Sequence, residues 1–285
     1  MKIGIVGGGI AGLTAAHRLV QSGHEVALFE ARPTLGGQAG TFEAGGGRLE
    51  VFYHHLFSGD TDVLGLIDEM GLGDRMSWRD SKVGFFHGGR IYNFVTPKDL
   101  LRFSPISLID RVRLGLIGVY LRRQKDWLRY EGVTARDWIR RWAGKRNYDV
   151  VWGPLLRGKF GSRAADVGMV WFWGKIHLRF ASRGGGLAQK EQLGYLMGSF
   201  GLLTDALEQR LRDAGARLEC GRPVQRIVVE DGRAVGLALA GDERVACDAV
   251  IATVPNAPFL EMAPFLPDDY AAPLRNVQYQ WATCL

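Results

Sequence analysis

The sequence has few of the residues on which several protein classes depend. Its 285 residues include only three cysteines, Cys220, Cys247 and Cys284, whose wide spacing predicts neither a metal site nor a redox pair. No run of about 18 apolar residues is free of charge, so a membrane-spanning helix is not expected. The N-terminus lacks the cleavage site of a signal peptide, and a cytoplasmic location is therefore predicted.

Positive charge is concentrated in the middle of the chain. The window from Lys98 to Lys190 contains 20 Lys or Arg and 7 Asp or Glu, a net of +13, whereas the remaining residues sum to −7. Six of the eight tryptophans lie in the same window: Trp127, Trp138, Trp142, Trp152, Trp171 and Trp173. This asymmetry predicts a separate domain, a partner or a membrane surface. No recognition motif supports nucleic acid as that partner.

The hydrophobic pattern predicts α/β structure on either side of a helical middle. Residues 2–7, 10–22 and 25–30 predict strand, helix and strand, the first unit of a parallel sheet. Residues 31–47 are predicted to form a glycine-rich loop, and residues 97–183 helices broken at Gly153-Pro154 and Gly161. The other predicted elements are helices over 61–72, 134–143 and 202–214 and strands over 83–87, 90–94, 216–220, 223–230, 233–239, 243–247 and 248–253.

A glycine motif follows the first predicted strand. Gly7, Gly9 and Gly12 fit G-x-G-x-x-G, and Ile10 and Ala11 fill the variable positions before the last glycine. Gly7 permits the tight turn, Gly9 the close approach of a pyrophosphate, and Gly12 the close packing of helix against strand. The N-terminus of the helix then points at the phosphates, so the motif predicts a bound dinucleotide.

A carboxylate supports the same prediction. Glu30 ends the second predicted strand, 18 residues after Gly12. In this position a carboxylate accepts hydrogen bonds from ribose hydroxyls and disfavours a 2′-phosphate. The predicted dinucleotide is therefore not NADP.

The residues that follow Glu30 distinguish FAD from NAD. The stretch Glu30-Ala31-Arg32-Pro33-Thr34-Leu35-Gly36-Gly37-Gln38 resembles the E-x-x-x-x-x-G-G motif of the amine oxidase, protoporphyrinogen oxidase and phytoene desaturase superfamily of FAD enzymes. The resemblance implies that FAD is the cofactor and that its binding residues include Glu30, Ala31, Arg32, Gly36, Gly37 and Gln38. Gln38 stands where the superfamily commonly has an arginine that contacts the cofactor.

Later segments extend the resemblance to about 130 residues in total. Arg222–Ile227 looks like the superfamily strand whose valine, here Val224, brackets the adenine through its backbone. Asp248–Pro255 looks like the returning strand that places Thr253 beside the ADP moiety. Residues 198–207 resemble the helix that re-enters the FAD domain.

The resemblance implies a fold class and a domain division. We expect an α/β, Rossmann-like FAD-binding domain formed by residues 1–80 and 195–258, with an inserted, largely helical substrate domain over 81–194 and 259–285. In the superfamily a second glycine-rich segment near the C-terminus completes the flavin site. Nothing after Pro255 matches it, so the sequence is expected to be a fragment or a truncated product.

Candidate catalytic residues are few. No Ser/His/Asp set, carboxylate pair or metal-spaced cluster stands out, which suits an enzyme whose flavin accepts the hydride. The resemblance implies that Tyr53–Phe57 approaches the flavin ring. Adjacent histidines on a strand face opposite sides, so one of His54 and His55 is a candidate proton relay or substrate anchor, and a structural histidine is the alternative. Lys159 is either a residue near the flavin or part of a solvated basic face.

The predicted function is that of an FAD-dependent oxidoreductase which removes hydride from an apolar or amine-bearing small molecule, with O2 or a quinone as acceptor. The alternatives are a flavin-dependent, non-redox sugar mutase and a non-catalytic, membrane-associated FAD- or ADP-binding protein. The basic window has three open interpretations. It lies on an anionic membrane surface, peripheral on the inner face of the membrane with residues 114–119 in lipid; it walls an apolar substrate tunnel; or it is a helical bundle with a basic exterior.

Overall fold

The computed structural model describes residues 1–181, 191–241 and 243–280. Cys284, with residues 281–285 of the predicted substrate domain, lies outside the described residues, as do residues 182–190 of the basic window. The strands are β1 Lys2–Val6, β2 Glu25–Glu30, β3 Thr41–Ala44, β4 Gly47–Glu50, β5 Met76–Asp80, β6 Gly84–His87, β7 Arg90–Asn93, β8 Gln192–Leu196, β9 Arg217–Cys220, β10 Val224–Glu230, β11 Arg233–Leu239, β12 Arg244–Ala246 and β13 Ala249–Ala252. The helices are α1 Ile10–Gln21, α2 Thr61–Glu69, α3 Pro97–Arg102, α4 Leu108–Arg123, α5 Ala135–Trp142, α6 Lys145–Asn147, α7 Gly153–Phe160, α8 Met169–Ala181, α9 Gly201–Asp213, α10 Asn256–Met262 and α11 Asp268–Arg275.

A four-stranded parallel sheet in the order β13-β1-β2-β9 combines two strands from the first 30 residues with two strands from residues 217–252. β1 pairs with β2 in the register Ile5↔Leu28 and with β13 in the register Ile5↔Ile251, so strands from both ends of the sequence meet at its centre. Ile5 and Leu28 are fully buried, as expected for parallel strands covered on both faces. The predicted strand–helix–strand unit over residues 2–30 is confirmed.

An antiparallel sheet, β10-β11-β12, lies between β9 and β13 in the sequence. Its apolar side chains form one core with residues of β1 and β2, made up of Val6, Phe29, Ile227, Leu237, Leu239, Cys247, Met262 and Ala263. Cys247 is thus a buried apolar residue, and Cys220 of β9 is half-buried. Burial raises the pKa of both thiols.

The predicted loop over residues 31–47 is partly wrong. A short 3-10 turn over Gly37–Ala39 leads into a hairpin of β3 and β4, which pair from Thr41↔Glu50 to Ala44↔Gly47. Gly45 and Gly46 form its turn with φ of +59° and +79°, backbone angles that glycine adopts without strain. The abundance of glycine concealed the short strands on either side of this turn.

The middle of the chain is largely helical, as predicted. Helix α5 begins after Thr134, whose Oγ1 accepts a hydrogen bond from the amide of Asp137 at 3.1 Å and so caps the helix. A break was expected at Gly153-Pro154, but the helix continues there and only its type changes. One turn of π-helix over Tyr148–Trp152 leads directly into α7. Gly161 ends α7 with φ of +54°, as expected.

Two apolar clusters hold this helical part together. One lies around Phe103, Ile106, Leu114 and Val151. The other is larger, and its members come from α4, α5, α7 and α8 and the turns between them: Leu121, Tyr130, Ala135, Trp138, Ile139, Ala143, Tyr148, Leu156, Ala164, Val167, Met169 and Phe172. Among the described residues, no helix is both long and apolar enough to cross a membrane.

The chain forms two compact units. Unit 1 comprises residues 1–54, 62–76 and 195–285, and unit 2 comprises residues 55–61 and 77–194. Helices α10 and α11 group with unit 1, whereas the sequence assigned 259–285 to the substrate domain. Which unit binds which ligand stays a prediction.

Candidate cofactor site

The glycine motif forms the turn between β1 and α1 in unit 1. Gly7 has φ of +104°, and its amide donates to the carbonyl of Phe29 on β2 at 2.9 Å. A Cβ atom at Gly12 would lie 2.0 Å from the carbonyl oxygen of Gly7, so only glycine allows the helix to start this close to the strand. The amides of Ile10 and Ala11 open the helix and have no partner within it. They offer hydrogen bonds to an anion at the helix N-terminus.

Glu30 ends β2 and is 9% exposed. Its Oε2 accepts a hydrogen bond from the amide of Gly8 at 2.6 Å, and its Oε1 accepts one from the amide of Arg32 at 2.9 Å. These two bonds fix the carboxylate beside the glycine turn. A carboxylate has about four acceptor positions, so both oxygens retain capacity for hydroxyl donors such as those of a ribose.

The Gly36-Gly37 pair lies against the glycine motif. The amide of Gly36 donates to the carbonyl of Gly8 at 2.8 Å, and Gly36 forms a parallel bridge with Gly9. A Cβ atom at Gly37, whose φ is +58°, would lie 2.9 Å from the Cα atom of Gly9. Side chains are thus excluded where the two glycine segments meet, which leaves backbone facing the space that a pyrophosphate would need.

Other predicted cofactor residues surround this turn. Ala31, Arg32 and Gln38 are exposed, and Nη1 of Arg32 lies 3.5 Å from the carbonyl oxygen of Gly37. The hydroxyl of Thr253 lies 3.1 Å from the carbonyl oxygens of both Val6 and Gly7, so the returning strand reaches the glycine turn as expected. Val224 lies at the start of β10 and packs against the core that contains Phe29.

The two candidate histidines do not lie on a strand, so the predicted strand at His54 and His55 is wrong. Residues 51–55 form bends and irregular backbone, and Leu56 makes only an isolated bridge with Gly194. His54 belongs to unit 1, where its Nδ1 lies 2.6 Å from the carbonyl oxygen of Phe52. That contact supports a structural role for His54.

His55 belongs to unit 2 and is exposed to solvent. Partial desolvation lowers the pKa of His55 from its ordinary value. The carboxylate of Glu191 opposes this effect, and the guanidinium of Arg179 reinforces it. Glu191 is itself buried, 3.8 Å from Arg179, which makes a cluster of charged groups around the imidazole.

The chain matches the model of the flavin containing amine oxidoreductase family over residues 10–285. It belongs to this family. Over 178 residues it is 39% identical to a probable zeta-carotene desaturase of Synechococcus elongatus, an alignment that covers 54% of this chain and 37% of that relative. The predicted superfamily is thereby confirmed.

Solved structures confirm the FAD-binding amine oxidase fold. An oxidoreductase from Methanosarcina mazei superposes with a TM-score of 0.72 at 21% identity, over 96% of this chain and 64% of that one. A putrescine oxidase double mutant superposes with a TM-score of 0.70 at 19% identity, over 96% of this chain and 63% of that one. The chain therefore spans less than two thirds of each of these proteins.

Family membership supports FAD as the cofactor, and the residues present fit it. The glycine cradle, the free amides at the start of α1 and the anchored carboxylate of Glu30 provide backbone donors for phosphates and acceptors for a ribose. Among the described residues, no group of three or more His, Cys, Asp or Glu side chains could hold a metal ion.

Two arrangements in unit 1 had no signal in the sequence. Nη1 of Arg48 on β4 donates to Asp205 on α9, and its Nη2 donates to the hydroxyl of Thr41 at 3.0 Å. Glu50 accepts a hydrogen bond from the amide of Phe200 at 2.7 Å. Burial alone would raise the pKa of Glu50, but the hydrogen bonds that its carboxylate accepts outweigh this effect and lower the pKa. These contacts connect the β3–β4 hairpin with α9. The two elements and residues 33–35 line a cavity of about 700 Å³.

A second cavity, of about 310 Å³, lies within unit 2. Its walls come from α3, α4, α5 and α8 and are almost entirely apolar, with Leu114, Trp152 and Phe172 among the large side chains. Thr96 and Arg179 are its polar residues. A cavity of this kind accepts an apolar molecule with few polar groups. Lys159, the remaining candidate, is exposed on α7.

Proposed function

We propose that the protein is an FAD-dependent oxidoreductase that dehydrogenates an apolar small molecule. The anchored carboxylate of Glu30 beside the glycine cradle is the observation that carries the cofactor half of this proposal. The apolar cavity of unit 2 supports the substrate half. The relative of Synechococcus elongatus is named as a zeta-carotene desaturase, which agrees with an apolar substrate.

In this proposal the residues of unit 1 bind the cofactor. The amides of Ile10 and Ala11 would hold the pyrophosphate, Glu30 would accept hydrogen bonds from the ribose, and the backbone of Gly36 and Gly37 would border the diphosphate. Ala31, Arg32, Gln38, Val224 and Thr253 complete the predicted set of cofactor-binding residues. When bound, FAD would accept the hydride, which carries both electrons, and O2 or a quinone would then take those two electrons from it.

The substrate loses one hydrogen as hydride and the neighbouring hydrogen as a proton. His55 is the candidate acceptor of that proton. A pKa lowered from its ordinary value favours the neutral imidazole, which is the form that can act as a base. The apolar side chains around the cavity exclude water from the bound hydrocarbon.

An amine-bearing substrate is the second candidate, since a putrescine oxidase shares the fold. An anaerobic experiment separates the candidates. The protein is loaded with FAD and mixed with zeta-carotene in detergent micelles or with putrescine in buffer, and the visible flavin absorption is followed. We expect zeta-carotene to bleach the flavin and putrescine to leave it oxidised. If bound FAD stays oxidised with both, the proposal fails and a non-redox role, as a binder or a sugar mutase, is favoured.

A further inference from the structure

One side of helix α4 presents large apolar side chains to solvent. Leu108, Ile109, Val112, Leu116 and Tyr120 are 62%, 79%, 48%, 66% and 38% exposed. Their spacing along the 16-residue helix places them on one face, which we name the α4 face. A contiguous apolar surface of this kind is rare on soluble monomers and marks an interaction site.

The opposite side of α4 packs inside unit 2. Leu114 and Leu121 are buried, and both line the apolar cavity. Ser107 caps the helix by accepting a hydrogen bond from the amide of Asp110 at 3.1 Å. The helix is thus held in place by one side, so the exposure of the α4 face is not a consequence of loose packing.

Cationic and aromatic groups border the α4 face. The guanidinium of Arg113 donates to the carbonyl of Trp142 at 2.5 Å and to that of Arg141 at 3.1 Å, which holds the end of α5 beside α4. Trp142 is 51% exposed, and the guanidinium of Arg141 lies 5.5 Å from the centre of its ring. Tyr120, on the face itself, stacks on the buried Trp138 with 6.4 Å between ring centroids, which anchors this end of the face to the core of unit 2.

The positive charge around the α4 face indicates what kind of partner binds there. The window from Lys98 to Lys190 has a net charge of +13, and exposed Arg113, Arg123 and Arg141 lie on or next to the face. A symmetric dimer through the α4 face would bring two such windows together, which like-charge repulsion opposes. An apolar helix face bordered by arginine and tryptophan instead matches the interface of an anionic bilayer.

We propose that the α4 face docks the protein onto an anionic membrane surface, with α4 lying parallel to the bilayer and Leu108, Ile109, Val112 and Leu116 inserted among the acyl chains near the headgroups. The arginines at its border contact lipid phosphates. This docking requires no spanning helix. It is independent of the proposed oxidoreductase activity, because it rests on the surface of unit 2 alone.

Flotation of the purified full chain with vesicles tests the proposal. One set of vesicles contains phosphatidylcholine alone, and the other contains equal parts of phosphatidylcholine and phosphatidylglycerol, each at low and high salt. The test variant is Ile109→Glu with Leu116→Glu. The control is Ile91→Glu with Leu155→Glu, which changes charge equally at two positions of unit 2 that are 75% and 52% exposed. Equal thermal unfolding of the three proteins confirms that both variants fold.

We expect the unmodified chain to bind the anionic vesicles and to lose binding at high salt. The α4 variant should lose about ten-fold or more in partitioning, and the control should keep the affinity of the unmodified chain. The proposal is overturned if the unmodified chain does not float or if both variants bind equally. A dimer that only the α4 variant dissociates, without vesicle binding, would instead assign the face to a second copy of the chain.

Discussion

The backbone amide of Gly8 donates to Oε2 of Glu30 at 2.6 Å, although 22 positions separate the two residues. The contact joins the turn after β1 to the end of β2. Because Glu30 also accepts a hydrogen bond from the amide of Arg32 at 2.9 Å, one carboxylate fixes two loops of the proposed cofactor site.

Glu30→Gln should weaken FAD binding and destabilise unit 1. The Nε2 group of glutamine donates and does not accept, so one of the two amides loses its partner, at a cost of about 1–3 kcal/mol in the free energy of unfolding. FAD affinity should fall about ten-fold or more, measured by fluorescence titration. Glu25→Gln at the exposed start of β2 is the control, because the carboxylate there lies 3.8 Å from Lys2 in a solvent-exposed pair. Equal FAD affinity of the two variants would contradict the role of Glu30.

Gly37→Ala should remove the flavin while leaving most of the fold intact. Its Cβ would lie 2.9 Å from the Cα atom of Gly9, so the two glycine segments must separate. Gly23→Ala is the matched control, because Gly23 also has positive φ, +78°, and no described atom would lie within 4 Å of its Cβ. Both variants should lose about 1–2 kcal/mol of stability from the left-handed backbone.

The measurement is the flavin content per chain after reconstitution, together with urea unfolding. We expect Gly37→Ala to retain little flavin and Gly23→Ala to retain the content of the unmodified protein. Full flavin content in Gly37→Ala would show that the contact between Gly9 and Gly37 is not part of the cofactor site.

Local patterns predicted much of the candidate site. The turn at Gly7, the helix from Ile10 and the strand ending at Glu30 depend on residues close in sequence, and the structure has them where the periodicity places them. Only the family resemblance predicts that Thr253 belongs to the site, because no local pattern relates it to the glycine turn 246 positions away. The periodicity of a sequence indicates local geometry, but it does not indicate which distant strands pair with each other or in which register.

The features that were missed depend on long-range pairing or on short elements. The salt bridge of Arg48 with Asp205 crosses 157 positions, and the hydrogen bond from Phe200 to Glu50 crosses 150. The strands of the β3–β4 hairpin have four residues each, too few to show an alternating pattern among glycines. The strand predicted around His54 and His55 does not form, because bends and irregular segments have no apolar period that the sequence could show.

Gly115→Leu should fill part of the apolar cavity in unit 2. A Cβ at Gly115 would lie 3.5 Å from Leu100, an ordinary contact, so the new side chain extends along the cavity wall. Gly158→Leu on α7 is the control, since no described atom would lie within 4 Å of its Cβ. Each change replaces a helical glycine and should add about 0.5–1 kcal/mol of helix stability.

Diphenylhexatriene, whose fluorescence rises in apolar surroundings, reports on the cavity. We expect its affinity to fall about ten-fold for Gly115→Leu, because the filled volume excludes the probe, and to stay unchanged for Gly158→Leu. If both variants bind the probe as the unmodified chain does, the cavity is not an apolar ligand site.

Glu69 at the end of α2 should make stability depend on pH. Hydrogen bonds from Arg18, His17 and Gln21 lower the pKa of Glu69 to about 2. The unfolded carboxyl, with an ordinary pKa of 4.5, binds protons more readily, so this stabilisation is present above about pH 4.5 and is lost as the pH falls toward 2.

Glu69→Gln should therefore lower the melting temperature at pH 6 and approach the unmodified protein at lower pH. Thermal unfolding at several values between about pH 6 and pH 3 checks this. Glu261→Gln, at an exposed position of α10, is the control and should show no such convergence. A difference for Glu69→Gln that stays constant across this range would mean that the carboxylate does not contribute through its charge.

Titration of the purified chain with FAD tests the central claim most directly. The account predicts saturable binding of one FAD per chain, with the affinity reduced about ten-fold or more in Glu30→Gln and unchanged in Glu25→Gln. Absence of saturable binding by the folded, unmodified chain, or equal affinity in both variants, would contradict it.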